Sequence, residues 1–333
     1  MNNTLFQTAI GFSITAKCPI KCDHCIIEAG PLRREEMNED LVVQWVRESS
    51  RYLGGKIKTT IITGGEPFYS PPLLKTVLGA CSDYGLISLV VTNGFWASSV
   101  AKAEETLKNY PEISILSFST DVYHRRYIPT SMIKNGITAA KNVGIPFNIA
   151  ICAGETDEFL ATLKELEGFV EADQLRIASV LPAGRGRLLS DDTFTDIFEE
   201  DDVEEDPGIC FGAESPIIFP DGRLFSCMGI TRIPCGEHPL QPGNVTDQSV
   251  DALLAGDVHN SFLHAMRHLG KEYIIRSMDM TFEEKRLLKK YEKFGSCSLC
   301  YAMAGELNFQ RKVVKRVSET DYVNNDEAIK EDR

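Results

Sequence analysis

The segment Phe12-Ser-Ile-Thr-Ala-Lys-Cys18-Pro-Ile-Lys-Cys22-Asp-His-Cys25 joins an apolar, β-branched run to three closely spaced cysteines. Residues 12–17 have the composition of a β-strand, so the cysteines are expected in the loop that follows its carboxyl end. Three thiolates are one fewer than a closed iron–sulfur cluster or a structural zinc site needs. The loop therefore predicts a metal centre with one coordination position open to a reacting ligand.

Outward from this loop, short β-branched runs alternate with helical periodicity as far as residue 182, the pattern of parallel strands joined by crossover helices. We expect strands at Phe12–Lys17, Lys58–Thr63, Ile87–Thr92, Ile113–Ser119, Phe147–Cys152 and Leu175–Leu181. We expect helices between them at Asn38–Leu53, Pro72–Tyr84, Ser98–Asn109, Ser131–Val143 and Thr156–Val170. The predicted fold is α/β, with six βα units.

Polar residues or glycines follow most of these strands. In parallel α/β folds, the functional residues lie at the carboxyl ends of the strands. The turn Gly64-Gly65-Glu66-Pro67 follows the second strand and Asn93 the third. The fourth strand ends at Ser119 and is followed by Asp121, Tyr123 and His124, and the sixth is followed by Arg185 and Arg187. We expect these side chains to gather at one rim.

Net charge and composition exclude two classes of partner. The 333-residue chain is 43% hydrophobic and 25% charged, with a formal net charge of −13. Phosphate backbones are bound by fields of Lys and Arg, so nucleic acid is not the expected partner. No apolar run reaches the ~20 residues of a membrane span and no signal peptide is evident, so we expect a cytoplasmic protein without membrane contact.

Acidic residues are concentrated in one segment, with ten of them between Asp191 and Asp206. A solvated linker between two domains is one interpretation of this segment, and a contact surface for a basic peptide is the other.

Ten cysteines in a cytosolic chain indicate metal binding or catalysis before disulfides. Cys81 and Cys152 lie in apolar segments and are interpreted as buried, small hydrophobic residues. The remaining cysteines form the group at the front of the chain and a second group at Cys210, Cys227, Cys235, Cys297 and Cys300. For the front group, a zinc knuckle completed by His24 is the less favoured alternative to iron and sulfur.

The C-x3-C-x2-C run, the Gly64-Gly65-Glu66-Pro67 turn and the six βα units together resemble the radical S-adenosylmethionine (SAM) superfamily. The resemblance implies a partial (β/α)6 TIM-like barrel in which Cys18, Cys22 and Cys25 hold a [4Fe–4S] cluster and SAM chelates the fourth iron. Reduction then cleaves SAM to a 5′-deoxyadenosyl radical, with a flavodoxin or ferredoxin-type protein as electron donor.

The resemblance also implies cofactor contacts for the rim residues. Gly64, Gly65 and Glu66 correspond to the segment that binds the methionine amino group, and Asn93, Ser119 and Asp121 to positions that hydrogen-bond SAM. Strand-end caps or Asx turns are the alternative for these last three. Arg185 and Arg187 are candidate partners for the SAM carboxylate, against the alternative of two surface arginines that face the acidic segment. Tyr123 and His124 are candidate substrate contacts.

The second cysteine group resembles the auxiliary-cluster domain called Twitch, a short relative of SPASM, and implies one auxiliary [4Fe–4S] cluster. Its ligands would be Cys210, Cys227, Cys297 and Cys300, and a four-cysteine zinc site is the alternative. Glu306 and Gln310 replace later SPASM cysteines, so a second auxiliary cluster is not expected. Cys235 is left over, either as a bystander or as a hydrogen-atom donor to a substrate radical.

The expected organisation is a barrel at 1–190, an acidic linker at 191–206, a Twitch-type domain at 207–316 and a charged tail at 317–333. Within the Twitch-type domain we expect helices at Ser249–Leu269 and Thr281–Lys293. The expected activity is hydrogen abstraction from a ribosomally made peptide, leading to oxidation, cross-linking or epimerisation. A sugar or aminocyclitol dehydrogenase or epimerase is the alternative substrate class. A non-enzymatic iron–sulfur or zinc protein is the alternative of another kind.

Overall fold

Strand β1 (Ala9–Thr15) has both faces covered, because Ile10, Phe12 and Ile14 on one face and Ser13 and Thr15 on the other are all buried. A strand covered on both faces belongs in the interior of a parallel sheet. The computed structural model describes residues 8–153, 156–189, 215–229, 240–257, 262, 280–292, 297, 299–300, 302–303 and 312.

Five further strands continue the sheet from β1 in chain order, and every neighbouring pair is parallel. They are β2 (Thr59–Gly64), β3 (Ile87–Thr92), β4 (Ile115–Ser119), β5 (Phe147–Ala153) and β6 (Leu175–Ser179). The predicted parallel α/β arrangement of six βα units is confirmed. The order from β1 to β6 is compatible with a partial barrel, in which all carboxyl ends meet at one rim.

Helices connect these strands, and several begin at side chains that cap their first turn. The helices are α1 (Glu39–Arg51), α2 (Pro71–Asp83), α3 (Val100–Lys108), α4 (Val122–Arg125), α5 (Thr130–Val143) and α6 (Thr156–Leu166). Asn38 accepts hydrogen bonds from the first turn of α1, and Ser99 does the same for α3. Among the described helices, none combines the length and the apolar character that a bilayer span requires.

The element boundaries differ from the expected ones by a few residues. Strand β1 begins earlier and ends at Thr15, and β6 ends at Ser179 instead of Leu181. Helix α6 ends at Leu166, and the one-turn helix α4 was not predicted. These differences lie at element ends, where local patterns carry the least information.

A second part of the chain adds to the other side of β1. Strand β7 (Ile217–Ile218) pairs in parallel with β1, and β8 (Arg223–Phe225) and β9 (Gly243–Asn244) follow as antiparallel neighbours. Helix α7 (Val250–Asp257) packs on α1, where the Val250 backbone N–H donates to Glu48 at 2.9 Å. Helix α8 (Phe282–Glu292) lies within the predicted helix 281–293.

Several expected features fall on residues outside the described ranges. They are the acidic segment 191–206, Cys210, Cys235, most of the second half of the predicted helix 249–269, and the charged tail 317–333.

Candidate active site

The three-cysteine loop lies at the carboxyl end of β1, as the sequence predicts. The side chains of Cys18 and Cys22 are buried and Cys25 is partly buried, and none of the three forms a disulfide. Burial raises the pKa of the Cys18 thiol to about 12. A thiolate at this depth therefore requires a neutralising cation, and the donor set fits an iron–sulfur cluster.

The glycine turn after β2 packs directly against this loop. The backbone N–H of Gly65 donates to the Thr15 carbonyl at 2.6 Å, and that of Glu66 donates to the Lys17 carbonyl at 2.9 Å. Gly64 has φ +133°, and a Cβ on Gly64 or Gly65 would overlap the carbonyl oxygens of Thr15 or Lys17. The two glycines thus allow the second strand to approach the start of the cysteine loop.

Glu66 is fully buried and links the end of β2 to the end of β3 through hydrogen bonds. Its carboxylate accepts from the Thr92 hydroxyl at 2.8 Å and from the backbone N–H groups of Asn93 at 2.7 Å and Phe68 at 3.1 Å. Burial raises its pKa to about 7 against the opposing effect of these donors. Sequence reasoning placed Glu66 beside a ligand, whereas in the structure its carboxylate bonds to neighbouring strand ends.

We expect the stability of the protein to depend on pH through Glu66. Because its pKa rises from 4.5 to about 7 on folding, the folded chain binds this proton more tightly than the unfolded chain. The free energy of unfolding should decline between about pH 4.5 and pH 7, by on the order of 3 kcal/mol. Chemical denaturation at several pH values measures it, and Glu66→Gln should show a flatter profile than the wild type. Parallel profiles would contradict this assignment.

Asp121 and two histidines form a buried group next to the cysteine loop. The carboxylate of Asp121 caps α4 by accepting from the backbone N–H groups of Tyr123 and His124, both at 3.0 Å. It also bonds His124 Nδ1 at 2.8 Å and lies 3.7 Å from His24 Nε2. Burial works to raise the pKa of Asp121, but His124 and His24 together hold it well below its usual value.

The two histidines of this group differ in charge. Burial lowers the pKa of His24 to about 4, so its ring is neutral near pH 7. Burial also acts to lower the pKa of His124, but Asp121 raises it well above the ordinary value. His124 is therefore a cation beside the Asp121 carboxylate.

The spacing of this group would suit a single metal ion, since its three ligand atoms lie within 4.8 Å of one another. Among the residues that the structure describes, no other group of three His, Cys, Asp or Glu residues forms such a set.

Arg185 reaches the cysteine loop from the segment after β6. Its backbone N–H donates to the Cys25 carbonyl at 3.1 Å, and its Nε donates to the Cys22 carbonyl at 2.8 Å. Gly184 has φ +55° and touches the Ile26 backbone, which leaves no room for a side chain. Arg187 points elsewhere and pairs with Glu28.

Four buried polar atoms around the loop have no hydrogen-bond partner among the described residues. They are Arg185 Nη2, His24 Nδ1, the Tyr123 hydroxyl and the Thr120 hydroxyl. His24 and Tyr123 stack with ring centroids 4.5 Å apart. Buried polar groups are usually satisfied, so these atoms mark where a polar ligand can bind.

The structure therefore brings most predicted rim residues together. Hydrogen bonds join six of these residues to the loop or to one another: Cys18, Glu66, Asn93, Asp121, His124 and Arg185. Ser119 is the last residue of β4. His24 and Thr92 were missed as parts of the site. The position of His24 between two ligand cysteines was the signal that could have identified it.

In the second cysteine group, Cys227 and Cys297 are brought close together. Their sulfurs lie 3.4 Å and 3.8 Å from the point that a Cβ on Gly229 would occupy, and the Gly229 N–H donates to Cys227 at 3.2 Å. Cys300 is partly buried, and Cys210 lies outside the described residues.

Comparison with known proteins finds similarity to the superfamily that the cysteine loop and the glycine turn resemble. The family model described as "Radical SAM superfamily" matches residues 12–166. The Bacillus subtilis (strain 168) protein YydG, named for peptide biosynthesis, is 21% identical over 306 residues, which cover 89% of this chain and 92% of YydG. AlbA of the same organism, named for biosynthesis of the antilisterial bacteriocin subtilosin, is 28% identical over 110 residues, 33% of this chain and 23% of AlbA.

A solved structure of histidine-tagged anSMEcpe with bound AdoMet has the same fold, with a TM-score of 0.51 and 14% identity. The match covers 93% of this chain and 96% of that one. The family implies a [4Fe–4S] cluster and SAM as cofactors, for which the buried three-cysteine loop supplies a fitting donor set. The family model thus matches residues 12–166, which carry this loop and most of the parallel sheet.

Proposed function

We propose that this radical SAM enzyme abstracts a hydrogen atom from a ribosomally made peptide, giving an oxidised, cross-linked or epimerised product. A flavodoxin or ferredoxin-type protein would supply the electron. The observation that carries the chemistry is the buried Cys18, Cys22 and Cys25 loop, surrounded by unpartnered polar atoms at the ends of parallel strands.

When bound, the iron–sulfur cluster and SAM would supply the reductive radical chemistry that converts SAM to methionine and 5′-deoxyadenosine and leaves a substrate radical. The chain's own residues would hold the reactants. Cys18, Cys22 and Cys25 would ligate iron, and the Arg185 guanidinium would bind the SAM carboxylate through its unpartnered Nη2. His24 and Tyr123 would line the same polar space.

Two observations favour a peptide as substrate. YydG, which matches nearly the whole chain, and AlbA, which matches a third of it, are both named for making peptides. The ten acidic residues between Asp191 and Asp206 would attract a basic peptide.

Anaerobic reconstitution followed by a 5′-deoxyadenosine assay with dithionite tests the radical chemistry. Mass spectrometry of candidate precursor peptides, incubated with the active enzyme, tests the substrate class. We expect a mass change in a peptide and none in aminocyclitols or sugars. Turnover of an aminocyclitol with no peptide product would replace the proposed substrate, and an absence of 5′-deoxyadenosine would contradict the enzymatic role.

Replacement of Arg185 should weaken SAM binding specifically. Loss of a charge-assisted hydrogen bond costs roughly 1.5–3 kcal/mol, so Arg185→Gln should raise the Kd for SAM about tenfold or more. Arg187→Gln is the matched control, since Arg187 is mostly exposed and pairs with Glu28. Equilibrium binding to protein with a measured, unchanged iron content checks this, and equal Kd values for the two variants would refute it.

We propose that Cys210, Cys227, Cys297 and Cys300 hold one auxiliary [4Fe–4S] cluster, which would exchange an electron with the substrate radical. The closeness of the Cys227 and Cys297 sulfurs beside Gly229 supports this arrangement. Cys235 remains a candidate hydrogen-atom donor to the substrate radical.

Filling the space beside Gly229 should remove the auxiliary iron. The extra methyl groups of Gly229→Val would lie between the two sulfurs, so we expect about four irons per chain instead of about eight. Gly256→Val is the control, because nothing lies within 4 Å of a Cβ at Gly256 in α7. Iron and sulfide analysis after reconstitution measures the loss, and about eight irons in the Gly229 variant would refute this arrangement.

A further inference from the structure

A side-chain N–H group points at the sulfur of Cys18 in the cysteine loop. Asn93 lies directly after β3, and its Nδ2 donates to the Cys18 sulfur at 3.6 Å. Both residues are about 5% exposed, so water does not compete for this bond. N–H···S bonds are long and individually weak, but in a dry site they are electrostatically significant.

The orientation of Asn93 is fixed by its other bonds. Its Oδ1 accepts from the Phe95 backbone N–H at 3.1 Å, which leaves Nδ2 as the end that faces Cys18. Its backbone N–H donates to the buried Glu66 carboxylate at 2.7 Å. The donor is therefore held in place before any metal binds.

We propose that Asn93 is a positioning residue that raises the reduction potential of the cluster held by Cys18, Cys22 and Cys25. This inference rests on the proposed function. A reduced cluster carries one more electron, so its thiolate sulfurs are more negative and accept N–H bonds more strongly. Donors at the sulfurs therefore favour the reduced state, and hydrogen bonding to sulfur is a known control of cluster potential.

Anaerobic redox titration with dithionite and mediator dyes, followed by electron paramagnetic resonance, tests the inference on the reconstituted full chain. Asn93→Ser keeps an acceptor for the Phe95 N–H but loses the donor to Cys18. At a fixed potential, its ratio of reduced to oxidised cluster should fall about tenfold, which is ~59 mV for a one-electron couple. Asn93→Asp keeps the shape, replaces the donor with a charged acceptor, and should show a larger fall.

A control completes the set. Asn135→Ser is the matched control, because Asn135 lies in α5 and its side chain donates to the Ala97 carbonyl at 3.1 Å, away from the cysteines. Its potential should equal that of the wild type.

The outcomes separate this inference from the proposed function. If the wild type binds the cluster and forms 5′-deoxyadenosine but both Asn93 variants keep the wild-type potential, the inference alone is overturned. A wild type that binds no iron on the Cys18 loop overturns both. Should Asn93→Ser lose its iron, the potential of Asn93→Asp decides the matter.

Discussion

Replacing Cys22 with alanine is expected to reduce 5′-deoxyadenosine formation to background while leaving the chain folded. The residue is buried, and its carbonyl already bonds Arg185, so the loop keeps that backbone contact without the sulfur. Two thiolates cannot hold a site-differentiated cluster of four irons. The iron content should fall from about eight to about four per chain, the share of the auxiliary cluster.

Cys81→Ala is the matched control for this prediction. Cys81 is also buried, but its sulfur lies 3.2 Å from the Thr60 hydroxyl, between β2 and α2. Its removal should cost about 1 kcal/mol of stability and no iron. Full 5′-deoxyadenosine formation by the Cys22 variant would exclude the front loop as the cluster site. Iron loss in the Cys81 variant would contradict the interpretation of Cys81 as a buried hydrophobic residue that binds no iron.

Gly65→Ala is expected to produce the second large effect, this time on folding and cluster assembly together. A Cβ at Gly65 would overlap the Lys17 carbonyl, which is backbone and cannot move as a side chain can. The overlap should destabilise the protein by about 3 kcal/mol or more and displace the start of the cysteine loop. Chemical denaturation and iron analysis measure the two consequences.

Gly79→Ala separates this steric effect from the general effect of a methyl group. Gly79 lies within α2, and nothing approaches within 4 Å of its Cβ position. Alanine there should stabilise the chain by about 0.5–1 kcal/mol, because it reduces the conformational freedom of the unfolded state. Unchanged stability and iron content in Gly65→Ala would show that the turn does not need its glycine.

The parallel sheet could be predicted because each strand carries its own signal. Ile87–Thr92 is rich in apolar and β-branched residues, and its observed bounds equal the expected ones. The loop cysteines were evident from their spacing alone. Strand β7 could not be recognised, because two residues are too short to show a period and their pairing with β1 is a long-range contact.

The contacts within the site were beyond sequence reasoning for a different reason. Glu66 bonds Asn93, and Arg185 reaches Cys22 from a segment far along the chain. Such contacts depend on which strand ends become neighbours and on rotamers that local patterns do not encode. Sequence reasoning could place Glu66, Asn93 and Arg185 at one rim, but it could not show that Glu66 bonds strand ends while Arg185 retains an unpartnered nitrogen.

The pairing of β7 with β1 bears on how the chain avoids association. The Gly11 N–H donates to the Pro216 carbonyl at 2.7 Å, so the edge of β1 is occupied by the later part of the same molecule. Without that part, a long apolar strand would present unpaired backbone groups to other chains, a template for intermolecular pairing. The later segment thus shields that edge of the parallel sheet from other chains, a role that is independent of its cysteines.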